Sequence, residues 1–218
     1  MGIADRKQRE RQARLNLILN AGLTVFARLG YHNASMDLIA EEAELGKATL
    51  YYYFRSKDEL LMAILENGVQ EFFQHLEQKL PRLPSALEQI QEVIRQSIEF
   101  FHNHPDYFRL YLYLNAHPHF RRQTLQRLQP AIRSKLTLFR RLFEQAAREG
   151  NLKEFPVNQL ISVFGSLVMG VGIFMEEAAQ KEPEHIAALI SEIFLHGVLK
   201  KPHTEPSSLA HKAEEHHD

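Results

Sequence analysis

Apolar residues recur at intervals of three and four from about residue 10 onward, and no alternating run of strand length interrupts them. Leu15, Ile18, Leu19, Gly22, Leu23 and Phe26 mark one face of a first helix, which Gly30 is placed to end in a left-handed conformation. Ser35 is a natural N-cap for a second helix carrying Met36, Ile39, Ala40 and Ala43, and a short third helix is predicted over 47–54. Ser56-Lys57-Asp58-Glu59 has the spacing of a capping box and opens a long helix to about residue 80, roughly 36 Å at the α-helical rise. Pro81 and Pro84 end it, and Ser85-Ala86-Leu87-Glu88 repeats the capping pattern for a helix to about residue 102. His104-Pro105 and His117-Pro118 bracket a short helix. Pro130, Pro156 and Pro183 each suit a first helical turn, which predicts helices near 130–149, 156–179 and 183–200. The pattern predicts an all-α chain of about nine helices. A three-helix unit over 1–55 precedes a larger helical unit over 56–201, and the polar stretch 202–218 is expected to be a disordered tail.

The 218 residues are 44% hydrophobic and 24% charged, a composition able to build a core. No apolar run reaches the length of a membrane span, since 160–175 is short and broken by glycines. The start of the chain lacks the features of a secretory signal, and with no cysteine it has no disulfide, thiol nucleophile or Cys-ligated zinc. A cytoplasmic protein without a membrane partner is expected. The net charge of −1 conceals a segregation: +2 over 1–58, −3 over 59–81, +5 over 82–150 and −5 over 151–218. Within the first fourteen residues Arg6, Lys7, Arg9, Arg11 and Arg14 outnumber Asp5 and Glu10, either a solubilising tail or part of an electrostatic footprint.

The segment 36–54 carries the most specific signal. Two short helices with room only for a tight turn between them are what reading a major groove requires. In the second of these, Leu50 and Phe54 make an apolar face at i, i+4, so Tyr51, Tyr52 and Tyr53 cannot all share it. Lysine, threonine and tyrosine donors beside a helix N-terminus suit phosphate.

From Ile18-Leu19 through Phe26-Ala27, Gly30-Tyr31, Ser35-Met36, Ile39-Ala40, Lys47 and Thr49-Leu50-Tyr51-Tyr52-Tyr53-Phe54 to Ser56-Lys57-Asp58-Glu59-Leu60, the sequence resembles the tetracycline-repressor (TetR) family. The resemblance implies a helix-turn-helix head that contacts duplex DNA. Lys47 and Thr49 would lie on phosphate or bases, Tyr51 and Tyr52 on the phosphate backbone, and Tyr53 near base edges. Lys57 and Ser35 would add phosphate contacts. It also implies a larger domain that binds a small effector, and a homodimer acting as a repressor on a near-palindromic operator. The turn departs from the family's usual Ala-Gly-Val-Ser, reading Ala43-Glu44-Leu45-Gly46, with Glu44 where a left-handed glycine is common.

Residues 157–175 are apolar around most of the helical circumference, and 186–199 carry a second stripe. Val157, Leu160, Phe164, Val168, Phe174, Ile190, Ile193 and Phe194 are therefore the expected dimer interface. Phe101, Phe108, Tyr111, Phe139 and Phe164 are the expected lining of an effector site, for an apolar or amphipathic ligand whose acidic group the basic 82–150 region would accommodate. No cofactor is expected. The His102-Asn103-His104 and His117-Pro118-His119 clusters have metal-ligand spacing, but their place at helix ends beside proline favours capping or solvation, so no metal site is assigned. A metal or a protein remains the alternative effector. An all-helical enzyme is the other alternative function, though the chain lacks a Gly-rich phosphate loop, an activated-nucleophile signature and a His-Glu-x-x-His helix.

Overall fold

The computed structural model describes residues 2–150, 152–175 and 182–199, with the side chains of Ile3, Ala131, Ser134, Leu136, Met169 and residues 171–175 excepted. The expected tail 202–218 and the side chain of Phe174 lie outside the described residues. Within them the chain forms α1 (Ile3–Asn33), α2 (Met36–Glu42), α3 (Lys47–Tyr53), α4 (Lys57–Lys79), α5 (Ala86–Asn103), α6 (Pro105–Ala116), α7 (Pro118–Arg148), α8 (Val157–Met175) and α9 (Pro183–Val198). A 3-10 turn, Leu80–Arg82, follows α4, and one isolated bridge joins Leu152 to Leu199. No described helix is long and apolar enough to cross a membrane.

Local chemistry explains the boundaries. The hydroxyls of Ser35, Ser56 and Ser85 accept from the backbone N–H three residues on, at 3.1–3.2 Å, satisfying donors that the first turn leaves free. The Glu59 carboxylate reaches back to the N–H of Arg55 (2.8 Å), one residue before the cap. Gly30, at φ 74° and ψ 159°, breaks the last turn of α1 in a region that side chains disfavour. A Cβ there would lie 2.4 Å from the Tyr113 ring, so a glycine also lets α6 close on α1.

Pro130 does not open a helix. It lies inside α7, which runs unbroken in assignment from Pro118, the proline that occupies the first turn. Proline removes one ladder bond, to the carbonyl of Gln126, and both residues are exposed, so water can take that carbonyl. Packing on either side holds the helix together. Thr124 and Leu128 are buried before Pro130, and Leu142, Phe143 and Ala146 after it.

Two apolar cores result. The first joins Ile18, Val25 and Phe26 of α1, Ile39 and Ala40 of α2 and Leu50 of α3 to Leu60, Leu61 and Ile64 of α4 and Leu110 of α6. It thus extends past residue 55 into the long helix and beyond. The second joins the later part of α4 to α5, α7, α8 and α9 through Leu76, Ile94, Phe143, Phe164, Phe194 and their neighbours.

Candidate nucleic-acid interface

The α2–α3 pair is fixed by an apolar seam and a tight reversal. Met36, Ile39, Ala40, Ala43, Leu50 and Phe54 are buried. The reversal is a Schellman motif, in which Glu44 N–H donates to the Glu41 carbonyl (3.0 Å) and Leu45 N–H to the Ala40 carbonyl (2.9 Å). Glu44 takes φ 52°, the left-handed conformation that glycine adopts at lower cost, and is the one non-glycine with positive φ among the described residues. The penalty is about 1 kcal/mol, small against the seam beneath it. Gly46 then caps α3 with no side-chain bond.

With Leu50 and Phe54 turned inward, α3 presents the opposite face to solvent. Tyr51 is 48% exposed and Tyr52 is 78% exposed. Tyr53 is half-buried against the first core, its ring edge-on to that of Tyr52 at 5.4 Å. Thr49 is half-buried one turn earlier. Lys47 Nζ reaches Asp37 Oδ2 across the α2–α3 gap at 2.6 Å, with both side chains more than half exposed. An exposed pair of this kind is worth no more than about 1 kcal/mol, so a phosphate can displace Asp37 at small cost. The Ser35 hydroxyl accepts from Leu38 N–H, which leaves its own proton available to an acceptor outside. Ser35, Lys47, Thr49, Tyr51 and Tyr52 thus offer donors around one exposed helix.

Lys57 departs from the expected phosphate contact. Its ammonium donates to the carbonyls of Tyr31 (2.7 Å), Ala34 (2.8 Å) and His32 (3.4 Å) and sits 4.4 Å from the Tyr31 ring centroid. These carbonyls belong to the C-terminal end of α1, where a cation is favoured. The lysine therefore ties α4 to α1 and sets where the head stands on the long helix.

The same corner holds residues that sequence reasoning passed over. The Tyr31 hydroxyl donates to Asp58, and Arg127 of α7 approaches the other carboxylate oxygen at 3.5 Å. The Tyr31 ring stacks on Phe120 of α7 at 4.6 Å. Burial, then the hydrogen bond to Asp58 and that residue's charge, raise the Tyr31 pKa from its ordinary 10.0 to about 12. Gly30-Tyr31 and Asp58 stood in the quoted motif, but Phe120 and Arg127 had no local signal.

The expected effector residues fall into two groups. Phe101, Phe108 and Tyr111 pack together on α5 and α6, with ring centroids 5.5–6.4 Å apart. Phe139 and Phe164 meet at 6.3 Å in the second core, where Phe164 also abuts Phe143 and Phe194. A groove of about 690 Å³ lies elsewhere, between α5 and α9, lined by Leu83, Glu92, Arg95, Ala187, Leu195 and His196 among others. None of the five expected residues lines it. The histidine clusters take ordinary partners: His117 Nδ1 pairs with the Tyr113 carbonyl at 2.8 Å, and His104 Nε2 lies 3.5 Å from Glu71. Among the described residues no three potential ligands converge on a metal position.

The dimer expectation needs correcting in its details. Leu160, Phe164, Val168, Ile190 and Phe194 are buried within the protomer, where they form the second core, and Val157 packs half-buried on its edge. Of the expected set, Ile193 faces outward at 57% exposure, joined by Leu189 and Val163, each 52% exposed. A helix apolar around most of its circumference does not reveal which arc its own fold covers, and α5 and α7 cover the more crowded one.

An all-helical chain with a capped helix-turn-helix mounted on a long helix defines a transcriptional regulator of the helix-turn-helix class. Residues 18–64 match the sequence model for bacterial regulatory proteins of the tetR family, and residues 112–200 that for the QacR-like C-terminal region. The chain belongs to the TetR family. It is 26% identical over 190 residues to the HTH-type transcriptional regulator YhgD of Bacillus subtilis, covering 85% of this chain and 96% of that one. Its fold resembles that of FadR from Bacillus subtilis in complex with stearoyl-CoA (TM-score 0.72, 19% identity, 83% of this chain and 97% of that one). It also resembles AibR in complex with isovaleryl coenzyme A and operator DNA (TM-score 0.71, 19% identity, 83% and 97%).

Proposed function

We propose that the chain is a cytoplasmic repressor that binds a near-palindromic operator as a homodimer and is released by an acyl-coenzyme A. Residues 1–55 serve as the DNA-binding unit and 56–201 as the effector and dimerisation unit. The observation that carries the reading is the exposed face of α3, where Tyr51, Tyr52 and Lys47 point away from the buried Leu50 and Phe54. Hydroxyl and ammonium donors held on a rigid helix position a protein on phosphate. Two-fold pairing through Leu189, Ile193 and Val163 would present two such helices to successive half-sites.

The acyl-coenzyme A assignment draws on the ligands in the FadR and AibR complexes and on the charge of +5 over 82–150. An amphipathic thioester needs both an apolar lining for its chain and cations for its phosphates. No chemistry on the ligand is required, and the chain acts as a regulator and not as an enzyme. Selection of bound fragments from the host genome should enrich one inverted repeat. Titrating stearoyl-CoA and isovaleryl-CoA into the resulting complex should release the DNA for one chain length. Enrichment without release by either would overturn the effector and leave the regulator standing, whereas no enrichment would overturn both.

A further inference from the structure

The first three turns of α1 stand outside the head's core. Leu15 is half-buried and Ile18 fully buried, whereas every residue from Ala4 to Arg14 is exposed. The tetR-family match also begins at residue 18, so nothing in it accounts for these turns. A helix this short is marginal by itself in water and persists here as an extension of the packed part. Its acidic groups are occupied: Glu10 pairs with Arg6 at 2.7 Å, and Asp5 accepts from the Gly2 N–H at 3.1 Å. Among the described residues, Lys7, Arg11 and Arg14 make no ion pair.

These three cations share a register. Lys7, Arg11 and Arg14 stand at i, i+4 and i+7, on one face of the helix. Continuing the spacing gives Ile18, Gly22 and Val25, of which Ile18 and Val25 are fully buried and Gly22 lies against Leu60 and Ile64 of α4. One seam therefore runs along α1. It is apolar where the rest of the head covers it and cationic where none of the described residues does. What covers the cationic part is anionic and asks for no apolar contact, because no large apolar side chain lies among residues 4–14. A membrane surface is the weaker fit, because without an apolar face to insert three cations would hold it by about 1 kcal/mol each at most.

We propose that Lys7, Arg11 and Arg14 form a second DNA contact, on phosphates flanking the groove that α3 enters. This rests on the DNA reading above and extends it to residues outside the helix-turn-helix. Ala4 to Arg14 spans about 15 Å along the helix axis, comparable with the roughly 12 Å width of a major groove. Three of the five cations in 1–14 lie on the stripe, and the remaining two, Arg6 and Arg9, lie off it. Arg6 is already paired with Glu10, and Arg9 Nε donates to the Asp5 carbonyl at 3.3 Å.

The test compares the full chain with K7Q/R11Q/R14Q and with R6Q/R9Q. Each is titrated across a salt series on the genome-selected operator and on a mixed-sequence duplex of equal length. The triple variant is expected to lose about three phosphates, flattening the slope of log K against log salt by about 2.7 on both duplexes. Preference for the operator should persist, because phosphate carries no sequence information. The double variant should change the slope less. Since all five residues are exposed, both variants should melt with the parent. A slope unchanged in the triple variant, or a slope lost together with the dimer in light scattering, would overturn the proposal. If the parent chain binds neither duplex, the DNA reading itself fails.

Discussion

Among their large aromatic and aliphatic side chains, helices α3 and α9 each leave two in water, and the chemistry of those two differs. On α3 they are Tyr51 and Tyr52, whose rings end in a hydroxyl that hydrogen-bonds equally well to water or to phosphate. On α9 they are Leu189 and Ile193, which have no such atom and gain only by leaving water, at about 25 cal/mol per Å² of apolar area. The first surface suits a hydrated polyanion that comes and goes. The second suits a partner with the same apolar face, which a second copy of the chain would supply in the proposed homodimer. Exposure alone does not separate the two surfaces; the terminal atoms do.

The sharpest way to break this contrast is Ile193→Asp. A carboxylate at a two-fold apolar contact would be buried twice without a partner, at a cost of several kcal/mol. The dimer is expected to dissociate at micromolar concentration in light scattering while the protomer keeps its helical signal. A variant that remains dimeric would place the interface elsewhere. Next in size is Gly30→Ala. Positive φ and the approach of Tyr113 together are expected to lower stability by about 3 kcal/mol in urea unfolding; an unaltered midpoint would show that α6 can yield there.

Tyr52→Phe removes only the hydroxyl from the α3 surface. DNA affinity is expected to fall about fivefold, the worth of one hydrogen bond, with the melting temperature unmoved. An equal affinity would take Tyr52 out of the footprint. The smallest effect concerns pH and the corner between the head and α7. The folded state holds the Tyr31 proton to about 12, against an ordinary value of 10.0. Its contribution is therefore complete below pH 10 and lost as pH rises towards 12, because the unfolded chain releases the proton first. Tyr31→Phe should show a shallower loss of stability across that interval than the parent chain.

Much of this was readable from residues whose signals are local. Ser35, Ser56 and Ser85 announce helix starts because the bonds they make lie three residues away. Leu50 and Phe54 announce the inward face of α3 by spacing alone, and Glu44 stands out against the turn glycine that the family resemblance implies. What could not be read depends on distant partners. Pro130 looks like a helix start until Phe120, Leu128 and Phe143 are seen to hold a single helix across it. Lys57 looks like a phosphate ligand until the α1 carbonyls arrive beside it. The five aromatic residues assigned to one effector site divide between two packing groups, since composition says nothing about which helices bring rings together.

The long α7 also bears on how the molecule comes apart. Its first turns hold Phe120 against Tyr31 at one core, and its last turns place Leu142, Phe143 and Ala146 in the other. Neither core can melt completely while the other keeps the whole of this helix. Unfolding of the two is thus coupled, and amide protons at both ends should exchange with solvent on similar timescales. The residues around Pro130, where the ladder already lacks a bond, should exchange first.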